Sequence, residues 1–582
     1  MKVFLDLMWF FKQEKKAYLI GIVTLLFVAL LQLIPPKIIG IFVDYLTDST
    51  LNGTTLIILV AILIITAVLM YVLRYYWRIM IFGSSLKLAN QLRKELFQQF
   101  TKMSQSFYQK KRVGDLMAHA TNDLQAIQQT AGLGVLTFVD SLATGGFVII
   151  AMAATISWKL TLISLIPLPF MAILTNWYGS LLHKRFHKAQ EAFSSLNDKT
   201  QESVTGVKVI KTFGQEKEDV EDFRKLSEDV VQKNIAVSKI DALFDPTISL
   251  IIGISFFLSI SFGAKYVLND ELTIGQLVSF TTYLGLLIWP MLAFGMLFNI
   301  IERGRASNER VTAILREKSD IIDDPNALDD VPNGNIHFAI SRFTYPGEKE
   351  PVLTDIHFTL NRGETLGIVG KTGAGKTTLL KLLTREFDGI DGTIKIAGYP
   401  LQQYKIGKLR EAIGYVPQEH FLFSATVSEN IAFANPDVNV ESIYDSAKLA
   451  NIHEDILQFT EGYHTVVGER GVSLSGGQKQ RISIARALMM EPEVLLLDDS
   501  LSAVDAKTEE LILTSLRQNR AGKTTIISAH RLSAIEHADL ILVLDEGKII
   551  QRGTHEQLMN EEGWYKDMYL HQQLEELVEL GG

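Results

Sequence analysis

The sequence contains no cysteine. That absence excludes a disulfide framework, a cysteine-ligated zinc site and a thiol nucleophile. Proline (14) and glycine (41) are too scarce among 582 residues for a fibrous chain, and 47% hydrophobic against 21% charged residues is too apolar for disorder. Basic charge is not in excess, with 56 Lys and Arg against 65 Asp and Glu, and no nucleic-acid partner is expected. The balance hides a split. Residues 1–320 hold 32 basic and 26 acidic side chains, a net of +6, whereas residues 321–582 hold 24 and 39, a net of −15. A mean hydropathy of +0.18 averages a very apolar first half with an ordinary soluble second half. At roughly 150 residues per domain the length suggests about four soluble domains. The split replaces that expectation with two unlike parts, residues 1–316 and 336–582, joined by an Asp-, Asn- and Pro-rich linker over 317–335.

Six stretches in the first part, residues 17–39, 56–81, 132–156, 158–178, 248–268 and 274–301, are apolar over about 20 residues or more. That length crosses a hydrocarbon core of roughly 30 Å, where buried core helices run only about 10–14 residues. Pro35, Pro36, Pro167, Pro169 and Pro290 do not oppose this reading, because membrane helices tolerate kinks whose freed backbone groups neighbours satisfy. Lysines and arginines gather after the second span (Lys87, Arg93, Lys94, Lys102, Lys110, Lys111, Arg112) and after the fourth (Lys184, Arg185, Lys188, Lys199, Lys208, Lys211). Basic connections stay in the cytoplasm, so both termini are expected inside a bacterial plasma membrane. The two long connections are expected to be helices that continue out of the bilayer and reverse within residues 106–119 and 205–215. Residues 2–16 suit an amphipathic helix on the lipid surface. They do not suit a signal peptide, since the apolar run that follows is too long and lacks a small-residue cleavage pattern.

Asp140 lies about eight residues into the third span, where a carboxylate is costly and is paired or functional. The expected partner is Arg74 or Arg78, near the cytoplasmic end of the second span. A substrate or proton site is the alternative.

In the second part, residues 365–369 form a short apolar strand leading into Gly370, Lys371, Thr372, Gly373, Ala374, Gly375, Lys376 and Thr377, followed by a helix from Thr378. This is a phosphate loop in its strand–loop–helix setting. Glycines let backbone N–H groups curl around phosphate oxygens at a helix N-terminus, Lys376 reaches the β and γ phosphates, and the Thr377 hydroxyl suits Mg²⁺. ATP and Mg²⁺ are the expected ligands. Further on, residues 494–497 form an apolar strand ending in Asp498, placed for a second protein contact to the metal.

Leu474, Ser475, Gly476, Gly477 and Gln478, followed by a helical run, resemble the signature motif of ABC transporter ATPases. The remaining family motifs follow in order: Tyr345 in the adenine-contacting position, Gln418 in the Q-loop, Glu469-Arg470-Gly471 in the exporter-type segment, residues 502–505 in the D-loop and His530 in the switch loop. The resemblance covers essentially the whole chain and is to exporter-type half-transporters. It implies an all-α transmembrane domain of six helices followed by an α/β nucleotide-binding domain. It further implies that Tyr345 stacks on adenine, that Gln418 offers its amide oxygen to Mg²⁺ or the attacking water, and that His530 donates to the γ-phosphate. Ser475, Gly476, Gly477 and Gln478 would then serve ATP held by the phosphate loop of an opposite subunit.

One position departs from the family. Active members carry Glu after the metal-binding Asp, where this chain has Asp499. The shorter side chain falls back by roughly 1–1.5 Å, and misplacement on that scale slows a reaction about 10²-fold. The pattern resembles the weakened-site subunit of bacterial heterodimeric multidrug exporters of the LmrC, BmrC and EfrC type. The expectation is efflux of small amphipathic compounds by a heterodimer whose other half carries the catalytic Glu. A lipid flippase and an ATP-gated channel or regulatory subunit are the alternatives. A peptide exporter with its own protease is disfavoured, because no additional domain precedes the first span.

Overall fold

The computed structural model describes residues 2–468 and 472–581. Contacts divide the chain into two units, one of Met1–Thr101 with Val113–Glu317, the other of Lys102–Arg112 with Lys318–Gly582.

The first unit is helical throughout. Its helix Gly53–Lys102 has 50 residues, about 75 Å at 1.5 Å per residue, against a hydrocarbon core of about 30 Å. The helix is therefore longer than that core is thick. Among the described residues five continuous helical stretches are long and apolar enough to span, rather than six, because Val113–Thr205 counts as one. That stretch divides at Ser157, whose extended backbone (φ −159°, ψ 118°) ends one helix while its hydroxyl caps the next by accepting from the Leu160 N–H. The apolar stretches 132–156 and 158–178 lie on either side of that break. Prolines stand where new helical segments begin. Lys15–Leu31 gives way to Ile34–Thr47 with Pro35 and Pro36 in its first turn, and Trp158–Leu165 gives way to Pro167–Thr205. Proline lacks the N–H that a first helical turn does not use, so it begins a helix at little cost.

The reversals also fall where the breaks predict. Lys102 ends one helix, Gln105–Lys110 is a short one, and the chain resumes helically at Val113. After Thr205 comes the helix Val207–Phe213, stopped by Gly214 at φ 65°, then Glu216–Asp241. Lys2–Asp6 and Met8–Gln13 are helical. Spans pack through small residues: a Cβ on Gly275 would lie 2.0 Å from the Gly40 carbonyl oxygen, and Ser259 Oγ donates to Ser164 Oγ at 2.7 Å. With no hydrophobic drive between helices in lipid, close backbone approach and hydroxyl bonds hold them.

Among the described residues the second unit contains ten strands: β1 (Ile336–Phe343), β2 (Leu353–Leu360), β3 (Thr365–Gly370), β4 (Asp391–Ile396), β5 (Tyr399–Pro400), β6 (Ile413–Val416), β7 (Val494–Asp498), β8 (Thr524–Ser528), β9 (Leu540–Asp545) and β10 (Lys548–Gly553). One sheet runs β2-β1-β4-β5 and is antiparallel. The other runs β10-β9-β3-β8-β7-β6, parallel from β9 to β6. All of β7 and β8 is buried, which explains why β7 reads as an apolar run up to Asp498. Side chains alternate between two cores. Leu495 and Leu497 join the helix Gly476–Leu488 on one face, while Val494 and Leu496 join the antiparallel sheet and the helix Lys376–Leu383 on the other. The carboxyl ends of β3, β8, β7 and β6 thus lie side by side, the edge where parallel α/β sheets bind ligands.

Candidate nucleotide site

Four loops leave that edge and enclose a cavity of about 290 Å³. The phosphate loop after β3 contributes Thr372, Gly373, Ala374, Gly375, Lys376, Thr377 and Thr378, the segment after β6 contributes Gln418, the tip of β7 contributes Asp498 and Asp499, and the end of β8 contributes Ser528 and His530. Gly370, Gly373 and Gly375 have φ of 147°, 83° and 98°. A Cβ on Gly370 would lie 2.0 Å from the Leu544 carbonyl oxygen, so both conformation and space demand glycine there.

Lys376 opens the helix Lys376–Leu383 and turns back over its own loop, donating to the Gly370 carbonyl at 2.7 Å and the Lys371 carbonyl at 3.1 Å. Burial holds its ammonium below the ordinary lysine range, opposed by the carboxylates of Asp499 and Asp498. Asp498, 1% exposed, accepts from the Thr377 hydroxyl at 3.0 Å and the Tyr415 hydroxyl at 3.3 Å. Burial raises its carboxyl above the usual range despite those hydrogen bonds. A hydroxyl, a carboxylate and an amide oxygen on one wall form the hard-oxygen set that Mg²⁺ takes beside phosphates. Thr377, Asp498 and Gln418 therefore fit that ion.

Asp499 adopts φ 48°, fixed by its N–H donating to the Ser528 carbonyl at 2.8 Å and its carbonyl accepting from the Ser502 hydroxyl at 2.9 Å. A non-glycine residue held left-handed beside a cavity marks a position where local geometry has been set against backbone preference. Asp499 and His530 also border a second cavity of about 110 Å³.

The other sequence-derived residues lie off this wall. Gly370 and Lys371 form the root of the loop. Tyr345 directs its hydroxyl to Thr378 Oγ1 at 2.9 Å and packs edge-on to Phe387 with ring centroids 5.0 Å apart. Ser475 caps the helix Gly476–Leu488: its hydroxyl accepts from the Gln478 N–H at 3.2 Å while the Gln478 side chain accepts from the Ser475 N–H at 3.0 Å. The Gln478 amide is thus engaged in a capping box, a role the Ser-x-x-Gln spacing announces. Gly477 sits where a Cβ would come 2.9 Å from the Ala503 carbonyl oxygen. Glu469, Arg470 and Gly471 lie outside the described residues.

Sequence reasoning missed two supports. Gln480 joins the signature helix to the segment after Asp499, accepting from the Ala503 N–H at 3.0 Å. Gln572, near the C-terminus, donates to the His530 carbonyl at 2.8 Å and accepts from the Leu532 N–H at 2.9 Å. Neither belongs to a motif with a spacing rule, so no sequence signal distinguishes it. One expectation fails in the first unit. Among the described residues Asp140 has no ion pair, and its carboxylate accepts from the Thr144 hydroxyl at 3.0 Å. Arg78 instead lies over the Trp77 ring, 5.5 Å from its centroid.

One chain that carries a phosphate-loop ATPase unit and a set of helices long and apolar enough to cross a membrane has the parts of an ATP-driven membrane transporter. Comparison with known proteins gives the family. The family model "ABC transporter transmembrane region" matches residues 18–291, and the family model "ABC transporter" matches residues 353–502. The chain is 48% identical over 575 residues to "Multidrug resistance-like ATP-binding protein MdlA" of Escherichia coli (strain K12), covering 99% of this chain and 97% of that one. It is 47% identical over 566 residues to "Probable multidrug resistance ABC transporter ATP-binding/permease protein YheI" of Bacillus subtilis (strain 168), covering 97% of each. A solved structure of a bacterial Atm1-family ABC exporter with ATP bound matches at a TM-score of 0.79 and 25% identity, over 96% of this chain and 98% of that one. The chain belongs to the ABC transporter family. It is a multi-pass membrane protein of the exporter type that binds and hydrolyses ATP.

Proposed function

We propose that the chain is one half of a heterodimeric multidrug exporter and that its own ATP site turns over slowly. Residues 1–316 form the membrane domain, residues 317–335 a linker and residues 336–582 the nucleotide-binding domain. The observation that carries the reading is Asp499. It stands beside the metal-side carboxylate Asp498, on the wall it shares with Lys376, Gln418 and His530, with one methylene less than the Glu of active family members. In this reading Lys376 neutralises the β and γ phosphates, His530 donates to the γ-phosphate, Tyr345 stacks on adenine, and Asp499 orients the attacking water from too far back. Mg²⁺, held by Thr377, Asp498 and Gln418, supplies charge neutralisation on the phosphates when bound.

Ser475 and the N-terminal amides of its helix belong to a different site. Ser475 is exposed and absent from this chain's cavity wall, which supports its service to ATP on an opposite subunit. A partner bearing Glu would gain one competent site from this signature. The printed names of the two relatives favour drugs as cargo. In inverted membrane vesicles holding the chain with its partner, ATP should drive uptake of amphipathic dyes. Ion conductance without uptake, or movement of lipids alone, would refute the reading.

A further inference from the structure

We infer that Asp140 contacts the transported molecule and selects cations with an apolar body, an assignment that rests on the export reading above. Asp140 is half-buried in the helix Val135–Met152. Its hydrogen bond comes from Thr144, one turn along the same helix. Arg74, exposed on the second span, acts on it only through space. A carboxylate inside a membrane span without a salt bridge to hold it is costly, and such groups mark substrate or ion pathways.

The surroundings are polar and unsatisfied. The second and third spans run antiparallel and touch where a Cβ on Gly132 would lie 2.9 Å from Ser85 Oγ and 3.1 Å from Phe82 Cδ1. Asp140 and Ser141 follow that contact by eight and nine residues on the third span, and Trp77 precedes Ser85 by eight on the second. Ser141 and Trp77 are 8% and 7% exposed, and neither Ser141 Oγ nor Trp77 Nε1 has a hydrogen-bond partner. Buried polar atoms of this kind are rare and call for a partner the chain does not supply. Ser157, the turn between the third and fourth spans, is about 25 Å beyond Asp140 along the helix. Asp140 therefore sits in the cytoplasmic leaflet's part of the roughly 30 Å core, the depth at which an amphipathic cation inserts its apolar body and keeps its charge near the interface. A bound organic cation would satisfy the carboxylate, and an amine on it could donate to Ser141 Oγ.

The test is ethidium binding to the transporter purified with its partner, followed by fluorescence without ATP, beside binding of an uncharged BODIPY dye. Asp140→Asn should weaken ethidium binding at least tenfold and leave the neutral dye within twofold, and Asp140→Glu should restore the cation. No ethidium binding by the wild type, equal losses for both dyes, or no loss for either would overturn the assignment. ATP-driven uptake of the same dyes separates the two readings. Binding that depends on Asp140 without any uptake refutes export and leaves the cation site standing.

Discussion

Asp499→Glu should turn the chain's own site into a fast one. The added methylene carries the carboxylate forward by roughly 1–1.5 Å, and a correction of that size is worth about 10²-fold in rate, or about 2.7 kcal/mol of barrier. The backbone sets a counter-charge on the gain. Asp499 sits at φ 48°, a region that Asp tolerates better than longer side chains, for which left-handed geometry costs about 1–2 kcal/mol. The unfolding midpoint should therefore fall by about 2–4 °C per kcal/mol lost. The assay is ADP release by the chain purified without a partner, where each site of a homodimer has an intact Ser475 and lacks only the Glu. The Lys376→Ala protein serves as the blank, and ATP affinity is measured separately. Wild type should hydrolyse slowly, Asp499→Glu about 100-fold faster, and Asp499→Asn no faster than wild type. An Asp499→Glu protein that binds ATP normally yet gains nothing would refute the reasoning.

Two further outcomes follow from the site. Burial raises the Asp498 carboxyl, so the nucleotide-free fold loses stability progressively as pH rises from the unfolded value near 4 through the raised folded value, and loses none below about 4, where both states are protonated. Asp498→Asn should raise the nucleotide-free unfolding midpoint at pH 7, lose that advantage below about pH 4, and abolish stabilisation by Mg²⁺ with ATP; a lower midpoint at pH 7 would contradict this. Gln572→Ala removes two hydrogen bonds that hold residues 530–532, each worth about 0.5–1.5 kcal/mol. Hydrogen exchange at the Leu532 amide should accelerate roughly tenfold, and unchanged protection would mean that the loop is held otherwise.

Legibility in the sequence followed from how local each feature is. The phosphate loop, the apolar strand ending in Asp498 and the helix behind Ser475 are each contiguous in sequence, so their spacing is readable without knowing the fold. The membrane spans were legible by length, and their prolines and Gly214 announced the breaks. The meeting of Gln418, Asp498 and His530 was not local. It depends on the spatial order β3-β8-β7-β6, which differs from chain order, so only the family resemblance placed these residues together in advance. Gln572 reaches the switch loop from some 40 residues away, beyond any spacing rule. The expected ion pair of Asp140 failed for a related reason: depth in the membrane is readable from sequence, but the direction of the Arg74 and Arg78 side chains is not.

The central claim concerns which of two sites hydrolyses ATP, and trapping reads it directly. The transporter purified with its partner would be incubated with radioactive 8-azido-ATP, Mg²⁺ and vanadate, irradiated, and its two polypeptides separated. The account predicts ADP trapped on the partner, with this chain labelled only when ATP is bound without turnover, and loss of trapping when Ser475 is replaced by Ala. Vanadate-dependent label on this chain equal to that on the partner would contradict it.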